Sequence, residues 1–401
     1  MMGTRVIVNR HAGEIDRAEW SRLCANLDAR LDPRWFLLND GEITAESRYI
    51  SVWRGDGLCA LAPCLVSLAD GSGFVPHRVT DVLFSPERIH GSGLGMDSSV
   101  LLMGRQSLRT ESLFPSVAVA TPCSAFAPVS DLLGRSASDV TAFESAVAAI
   151  EELATSVSAR LWAILGIPAG SPLLEHAAKF GFLPALIAAD TKMDVPWGSF
   201  DNYLGCLGSR RRYSVRWELA RTQERDVEIV LAPDPHAIVD DQVRIALSHL
   251  ESLGHVGDVE TEGWYLHETI RRFEHDYKVL CARRRGEVIG VCSVLSNGRS
   301  HKVLDCCVDP SKSARGDYLF PALMCAVIRH IIALGGGTVS FGPTNYRAKL
   351  HRGCSLQPLW GLYKPVEPSL RRALAEYLSV FNRLQSDCFG PLRAFENQPR
   401  G

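Results

Sequence analysis

Helices and strands alternate at short range along this sequence, one strand, glycine turn, strand unit occurs in both halves, and the length exceeds what a single ordinary core accommodates. Together these predict an α/β protein of two related units. The units are expected over 1–195 and 196–365, with a C-terminal helical segment over 366–401. Of the 401 residues, 46% are hydrophobic and 22% charged, proportions that support packed cores and exclude a disordered or fibrous chain.

The elements follow in order. A helical pattern around "EIDRAEWSRLCANLD" precedes two strand-like runs, "RYISVWRG" and "LCALAPCLVSL", whose Gly55-Asp56-Gly57 junction reads as a hairpin turn. From Asp70 to Pro128 the Gly/Ser/Pro-rich sequence has no period and is expected to hold long loops. "ASDVTAFESAVAAIEELATSVSA" places apolar residues at three- and four-residue intervals behind a Ser/Asp start, which is an amphipathic helix. "RLWAILGIP" reads as a strand, "SPLLEHAAKFGF" as a helix ending near Gly181, and "ADTKMDVPW" as a strand.

The second half repeats this grammar. A helix carrying an arginine cluster leads to the strand "DVEIVLAP", the helices "DPHAIVDDQVRIALSHLESLG" and "TEGWYLHETIRRFEHD", and three strands turning at Arg285-Gly286 and Asn297-Gly298. A helix then starts at about Asp317, with Leu319, Phe320, Leu323, Met324, Val327, Ile328, Ile331 and Ile332 on one core-facing side. Gly335-Gly336-Gly337 stops it and returns the chain into the strand "TVSFG", and "SLRRALAEYLSVFNRLQSD" is the final helix.

No apolar run approaches the ~18 residues that span a bilayer, and "MMGTRVIVNRHAGEID" lacks the apolar stretch and cleavage site of a secretory signal. A cytoplasmic protein without membrane insertion is expected. The twelve cysteines form no Cys-x-x-Cys pair, so they are expected as buried thiols rather than as ligands of zinc or another metal.

Three stretches carry a family likeness: "GSFDNYLGCLGSRRRYSVRWELAR", "GDYLFPALMCAVIRHIIALGGGTVSFG" and "YRAKLHRGC". With "PRWF" and the first hairpin they touch most of the chain, and the sequence resembles tandem-GNAT acyltransferases of the FemAB-like kind. The resemblance implies two tandem GNAT-like units with mixed, mainly antiparallel sheets flanked by helices, and the donor site in the second. It also implies transfer of an aminoacyl group, carried on tRNA, to an amine-type small-molecule acceptor such as a cell-wall precursor or a secondary-metabolite intermediate, with no further cofactor. An acyl-CoA-dependent N-acyltransferase is the alternative on the same fold, and a non-catalytic GNAT-like binding protein is a third reading. The sequence departs from the GNAT phosphate loop, Gln/Arg-x-x-Gly-x-Gly/Ala, because "SKSARGDYLF" keeps Arg315 and Gly316 alone of that pattern. That departure counts against a tightly held CoA pyrophosphate.

Lys349, in a polar loop after the "TVSFG" strand, leads the candidates. The resemblance sets a lysine of this signature beside the acyl transfer, where an ammonium stabilises the developing oxyanion. His351 is a candidate proton relay, and Arg352 a candidate for donor phosphate. A Cys354–His351 nucleophile is disfavoured, since the resemblance implies direct transfer. Lys312, Arg315 and Gly316 lie at the start of the central helix, where free N–H groups and positive charge suit phosphate. "SRRRYSVRWELARTQER" places six arginines and two glutamates in seventeen residues. As a helix it would present a basic ridge including Arg210, Arg211, Arg212 and Arg216, suited to tRNA phosphates, with Tyr213 and Trp217 as an apolar pair anchoring it. Trp35 and Phe36 of "PRWF", with Tyr346, are the candidate acceptor pocket.

Overall fold

A computed structural model describes residues 3–40, 46–69, 78–84, 108, 113–122, 126–133, 140–252 and 257–396. They divide into two compact units. One comprises the described residues within Met1–Asp190, Pro343–Asn345 and Leu356–Ala394, the other those within Thr191–Gly342, Tyr346–Ser355 and Phe395–Gly401.

The first unit begins with β1 (Thr4–Asn9), α1 (Arg17–Cys24), α2 (Pro33–Asn39), β2 (Glu46–Arg54), β3 (Gly57–Ser67), α3 (Val79–Phe84) and β4 (Ser116–Val119). It continues through α4 (Val140–Ser156), β5 (Leu161–Pro168), α5 (Pro172–Ala177) and most of β6 (Leu183–Val195). Side-chain caps set the early helices. Asp16 accepts from the backbone N–H of Glu19 at the start of α1, and Asp32 from that of Arg34 at α2, where Pro33 occupies the first turn. β1, β2, β3 and β4 pair antiparallel in that order, and β4 pairs parallel with β5. The Gly55 turn has φ +60°, as the hairpin expectation requires.

The second unit starts on the last residues of β6. It contains α6 (Phe200–Cys206), α7 (Ser209–Glu224), β7 (Val227–Leu231), α8 (Val239–Ser252), α9 (Val259–Phe273), β8 (Tyr277–Arg284), β9 (Glu287–Asn297) and β10 (Ser300–Val308). α10 (Leu319–Ala333), β11 (Gly337–Ser340) and α11 (Tyr346–His351) complete it. β7 to β10 form an antiparallel meander, β10 pairs parallel with β11, and β11 pairs antiparallel with the end of β6. Leu319, Leu323, Met324, Val327, Ile328 and Ile331 of α10 are buried in this unit's core with Val215, Ile289, Val303 and Val339. The chain then returns to the first unit as β12 (Ser355–Pro365), antiparallel to β5, and α12 (Pro368–Glu396). Both units are α/β, as the alternating pattern predicts, with mixed, mainly antiparallel strands, as the family resemblance implies.

Several elements differ from expectation. The aperiodic middle holds α3 and β4 among its described residues, and much of the rest of 70–128 lies outside them. β12 escaped notice because "SLQPLWGLYKP" carries Pro358, Gly361 and Pro365, the usual marks of a turn; the ladder with β5 shifts register between Trp360 and Leu362, so Gly361 sits at a bulge. The central helix begins at Leu319, two residues late, because Arg315–Asp317 form a 3₁₀ turn and Tyr318 is left-handed at φ +52°. Lys349 is in a helix rather than a polar loop. At Gly336, φ is +81° and an added Cβ would lie 2.2 Å from the Val195 carbonyl oxygen, so the backbone turns there at a distance that glycine alone allows.

Candidate functional site

In the second unit the β10–β11 ladder pairs Ser300 with Thr338, His301 with Val339 and Lys302 with Ser340. β11 ends there, while β10 runs on to Val308 with β9 on its other edge. Two lysines meet the chain where the ladder ends. The Lys302 ammonium donates to Ser340 Oγ at 2.7 Å, and that of Lys349 donates to the carbonyls of Phe341 at 2.7 Å and Gly342 at 3.0 Å. Both side chains are buried, at 4% and 3% exposure. A Cβ added at Gly342 would stand 3.4 Å from the Lys302 Nζ, and the Gly342 carbonyl also accepts from Thr191 Oγ1 at 2.6 Å. Two ammonium groups thus flank one short, anchored backbone segment inside low-dielectric surroundings, where their field acts at far greater strength than in water.

Sequence reasoning missed Lys302. The available signal was a lysine inside the apolar strand "HKVLDCCV" of a chain with seven lysines. Two carboxyls of the same unit, Asp305 of β10 and Glu262 of α9, were not among the sequence candidates either. Burial pushes the Glu262 carboxyl above its ordinary range, and the charges of Asp305 and Asp258 push it further. Asp305 lies three residues beyond Lys302 on β10, about 10 Å along a strand, with its backbone N–H on Ser293 Oγ.

Lys349 occupies the buried side of α11 with Tyr346 and Leu350. Tyr346, expected in the acceptor pocket, is 4% exposed at the first position of that helix. Arg352, expected on donor phosphate, is 2% exposed. Its guanidinium donates to the Ala348 carbonyl at 2.7 Å and pairs with Glu218 of α7, while its carbonyl accepts from Tyr203 Oη at 2.9 Å. Arg352 therefore ties the Lys349 helix to the arginine-bearing helix. His351 is half-buried. Burial lowers its pKa, and the charges of Arg352, Arg211 and Arg210 lower it further, so the imidazole is neutral at neutral pH and able to accept a proton.

The α7 arginines divide. Arg210 and Arg216 are exposed, whereas Arg211 and Arg212 are half-buried and Arg212 reaches the Gly205 carbonyl at 3.5 Å. Arg225, just past the helix, pairs with Asp317. Tyr213 and Trp217 do not anchor the helix. Val215 and Thr222 are its buried residues, and the two aromatics point outward at 72% and 40% exposure.

The turn before α10 is already furnished with an anion. Asp317, 1% exposed in its side chain, accepts from Arg284 at 2.6 Å, from Arg225 at 3.2 Å and from the backbone N–H of Ala314 at 2.8 Å. Lys312 pairs with Glu287. Gly316 packs against Arg225, whose Nη2 would lie 3.0 Å from an added Cβ. The Arg315 side chain lies outside the described residues.

Trp35 and Phe36 are core residues of the first unit instead of pocket walls. Phe36 is fully buried, its ring centroid 4.9 Å from that of Trp20 and 6.1 Å from that of Tyr49, and Trp35 Nε1 donates to the Pro122 carbonyl at 3.2 Å. Cys354 is 4% exposed among apolar side chains. A cavity of about 570 Å³ in the second unit, between α7, β7 and α10, is lined by residues including Thr222, Asp226, Glu228 and Arg329, and neither lysine lines it. Among the described residues no group of three His, Cys, Asp or Glu side chains is placed to hold a metal, and no helix is long and apolar enough to cross a membrane.

No protein-family model matches the chain, and no curated protein matches it in sequence. Solved structures do match. The crystal structure of FemX superposes with a TM-score of 0.57 at 9% identity, covering 90% of this chain and 98% of that one. The C-terminal domain of a putative lysylphosphatidylglycerol synthetase from Agrobacterium fabrum gives 0.54 at 11% identity, covering 94% and 97%. The chain shares the fold of these two structures, FemX among them, in line with the FemAB-like resemblance of its sequence.

Proposed function

We propose that the protein is an aminoacyltransferase that moves an amino acid from the 3′ end of a tRNA to an amine, forming an amide on a cell-wall precursor or a secondary-metabolite intermediate. The observation that carries this reading is the buried Lys302–Lys349 pair at the end of the β10–β11 ladder, joined through the Arg352–Glu218 ion pair to the arginine-bearing helix. In the reaction the amine nitrogen attacks the ester carbonyl carbon and the C–N bond forms. Negative charge develops on the carbonyl oxygen, the ester C–O bond breaks, and the ribose oxygen leaves with a proton. The two ammonium groups supply fixed positive charge to the oxyanion without reorganisation at the moment of reaction. Glu262 of α9 feels the charge of Asp305, three residues along β10 from Lys302, and is assigned the proton that the ammonium form of the acceptor must lose before it attacks.

Asp317 supports tRNA over acyl-CoA as donor. Its carboxylate occupies the anion-binding turn before α10 and engages Arg225 and Arg284, so a pyrophosphate there meets a resident negative charge. A tRNA needs no such cradle, because its phosphates are distributed along a surface.

The experiment is single-turnover transfer from labelled aminoacyl-tRNA to a panel of primary amines. Lys302→Met and Lys349→Met keep most of the side-chain volume and remove the charge. Each is expected to slow amide formation about 10²-fold or more. Rates within a few-fold of wild type in both variants would overturn the assignment.

A further inference from the structure

The exposed face of α7 combines two features that the transfer chemistry does not use. Arg210, Tyr213, Trp217 and Arg221 recur at three- and four-residue steps and so form one stripe along the helix. All four are exposed, Tyr213 at 72% and Trp217 at 40%. Arg216, also exposed, precedes Trp217. Two large rings open to water on adjacent turns form a contiguous patch of the kind that partners cover. The Trp217 ring is held in place. Tyr318 packs edge-on against Trp217 with centroids 5.1 Å apart, and the Arg221 guanidinium carbon lies 5.5 Å over the same ring. Tyr213 and Trp217 are one helical turn apart, about 6 Å along the axis.

We propose that this stripe is a stacking platform for unpaired nucleotides of an RNA strand, with bases on Tyr213 and Trp217 and adjacent phosphates on Arg210 and Arg216, while Arg221 is held by Glu224 at 2.8 Å. The proposal rests on the tRNA-donor reading and sharpens it, since the amino acid of a charged tRNA is carried on a single-stranded 3′ end. Aromatic faces receive any base, and arginine beside them engages the backbone, a combination suited to single strands. A duplex offers phosphates but keeps its bases stacked inside. Two copies of this stripe would bring arginine against arginine, which disfavours self-association. A lipid surface would call for Leu, Ile or Phe between the basic residues, and the exposed positions of α7 are Ser209, Arg210, Tyr213, Arg216, Trp217, Ala220, Arg221, Gln223 and Glu224.

The test uses the full chain and two double variants, Tyr213→Ala with Trp217→Ala, and Tyr213→Phe with Trp217→Phe. The probes are uncharged tRNA, the same tRNA trimmed of its unpaired 3′ nucleotides, and vesicles containing phosphatidylglycerol. The alanine pair is expected to weaken binding of intact tRNA about 10- to 100-fold, with the salt dependence of Kd unchanged because the phosphate contacts remain. The phenylalanine pair should bind nearly as wild type does, and trimmed tRNA should no longer distinguish wild type from the alanine pair. If wild type binds tRNA and the alanine pair binds it equally tightly, the platform is wrong and the tRNA reading survives. If wild type does not bind tRNA at all, both fall. Loss of vesicle binding, or of a dimer in sedimentation, with RNA affinity unaltered would assign the stripe to those partners and overturn the proposal.

Discussion

Arg352 and Glu218 show how one residue pair holds the site together. Arg352 is enclosed in the protein and its partner carboxylate has 15% exposure, so neither charge is well solvated without the other. Truncating one member leaves the second buried and uncompensated. Arg352→Met and Glu218→Gln are each expected to lower stability in urea unfolding, the arginine variant by about 3–5 kcal/mol, and the double variant to lose less than the sum of the two. A double variant as unstable as the sum of the two single ones would mean that the pair acts by shape rather than charge. Glu262 gives the second expectation at this scale. Its carboxyl must be ionised to accept a proton, and its pKa is raised, so transfer should decline on acidification from a pH above the ordinary glutamate range. Glu262→Gln should lower the rate and abolish that limb of the pH–rate profile. A variant that keeps both would remove Glu262 from the chemistry.

Among elements, the entry to α10 departs most informatively from expectation. Sequence alone suggested a basic turn open to phosphate, whereas Asp317 already serves as its anion. Burial by itself would raise the Asp317 pKa, but the bonds from Arg284 and the Ala314 N–H, with the charges of Arg284 and Arg225, outweigh it and hold the pKa below the ordinary value. A depressed carboxylate pKa stabilises the fold above its unfolded value of about 3.9, and that stabilisation is lost as pH falls through the folded value. Asp317→Asn is expected to be less stable than wild type at neutral pH, with the gap closing as wild-type Asp317 is itself protonated in acid. Urea midpoints compared across that range check this; a gap of constant size would mean that the charge contributes nothing. Helix α7 teaches the complementary lesson. Its arginine content was legible, yet the spacing of Tyr213 and Trp217 fits an inward or an outward pair equally well, and it is Val215 and Thr222 that face the core.

Across the whole molecule, the α/β class, the two hairpins and the core face of α10 were legible because each rests on local periodicity and glycine turns. β12 was not, because its bulge and prolines resemble a loop and its pairing with β5 spans nearly two hundred residues of sequence. The same limit applies to the site. Lys349 was found from a short signature, but Lys302 and Ser340 become neighbours through a parallel pairing that no local pattern reports. What the assembled chain does is decided by its donor. In an extract supplying amino acids, ATP and a competent amine, amide formation by the purified protein is expected to require tRNA, to vanish after ribonuclease treatment, and not to be restored by acyl-CoA, because phosphate contacts remote from the reacting ester position it against the amine. Product formation that survives ribonuclease and runs at a comparable rate on acyl-CoA alone would contradict the account.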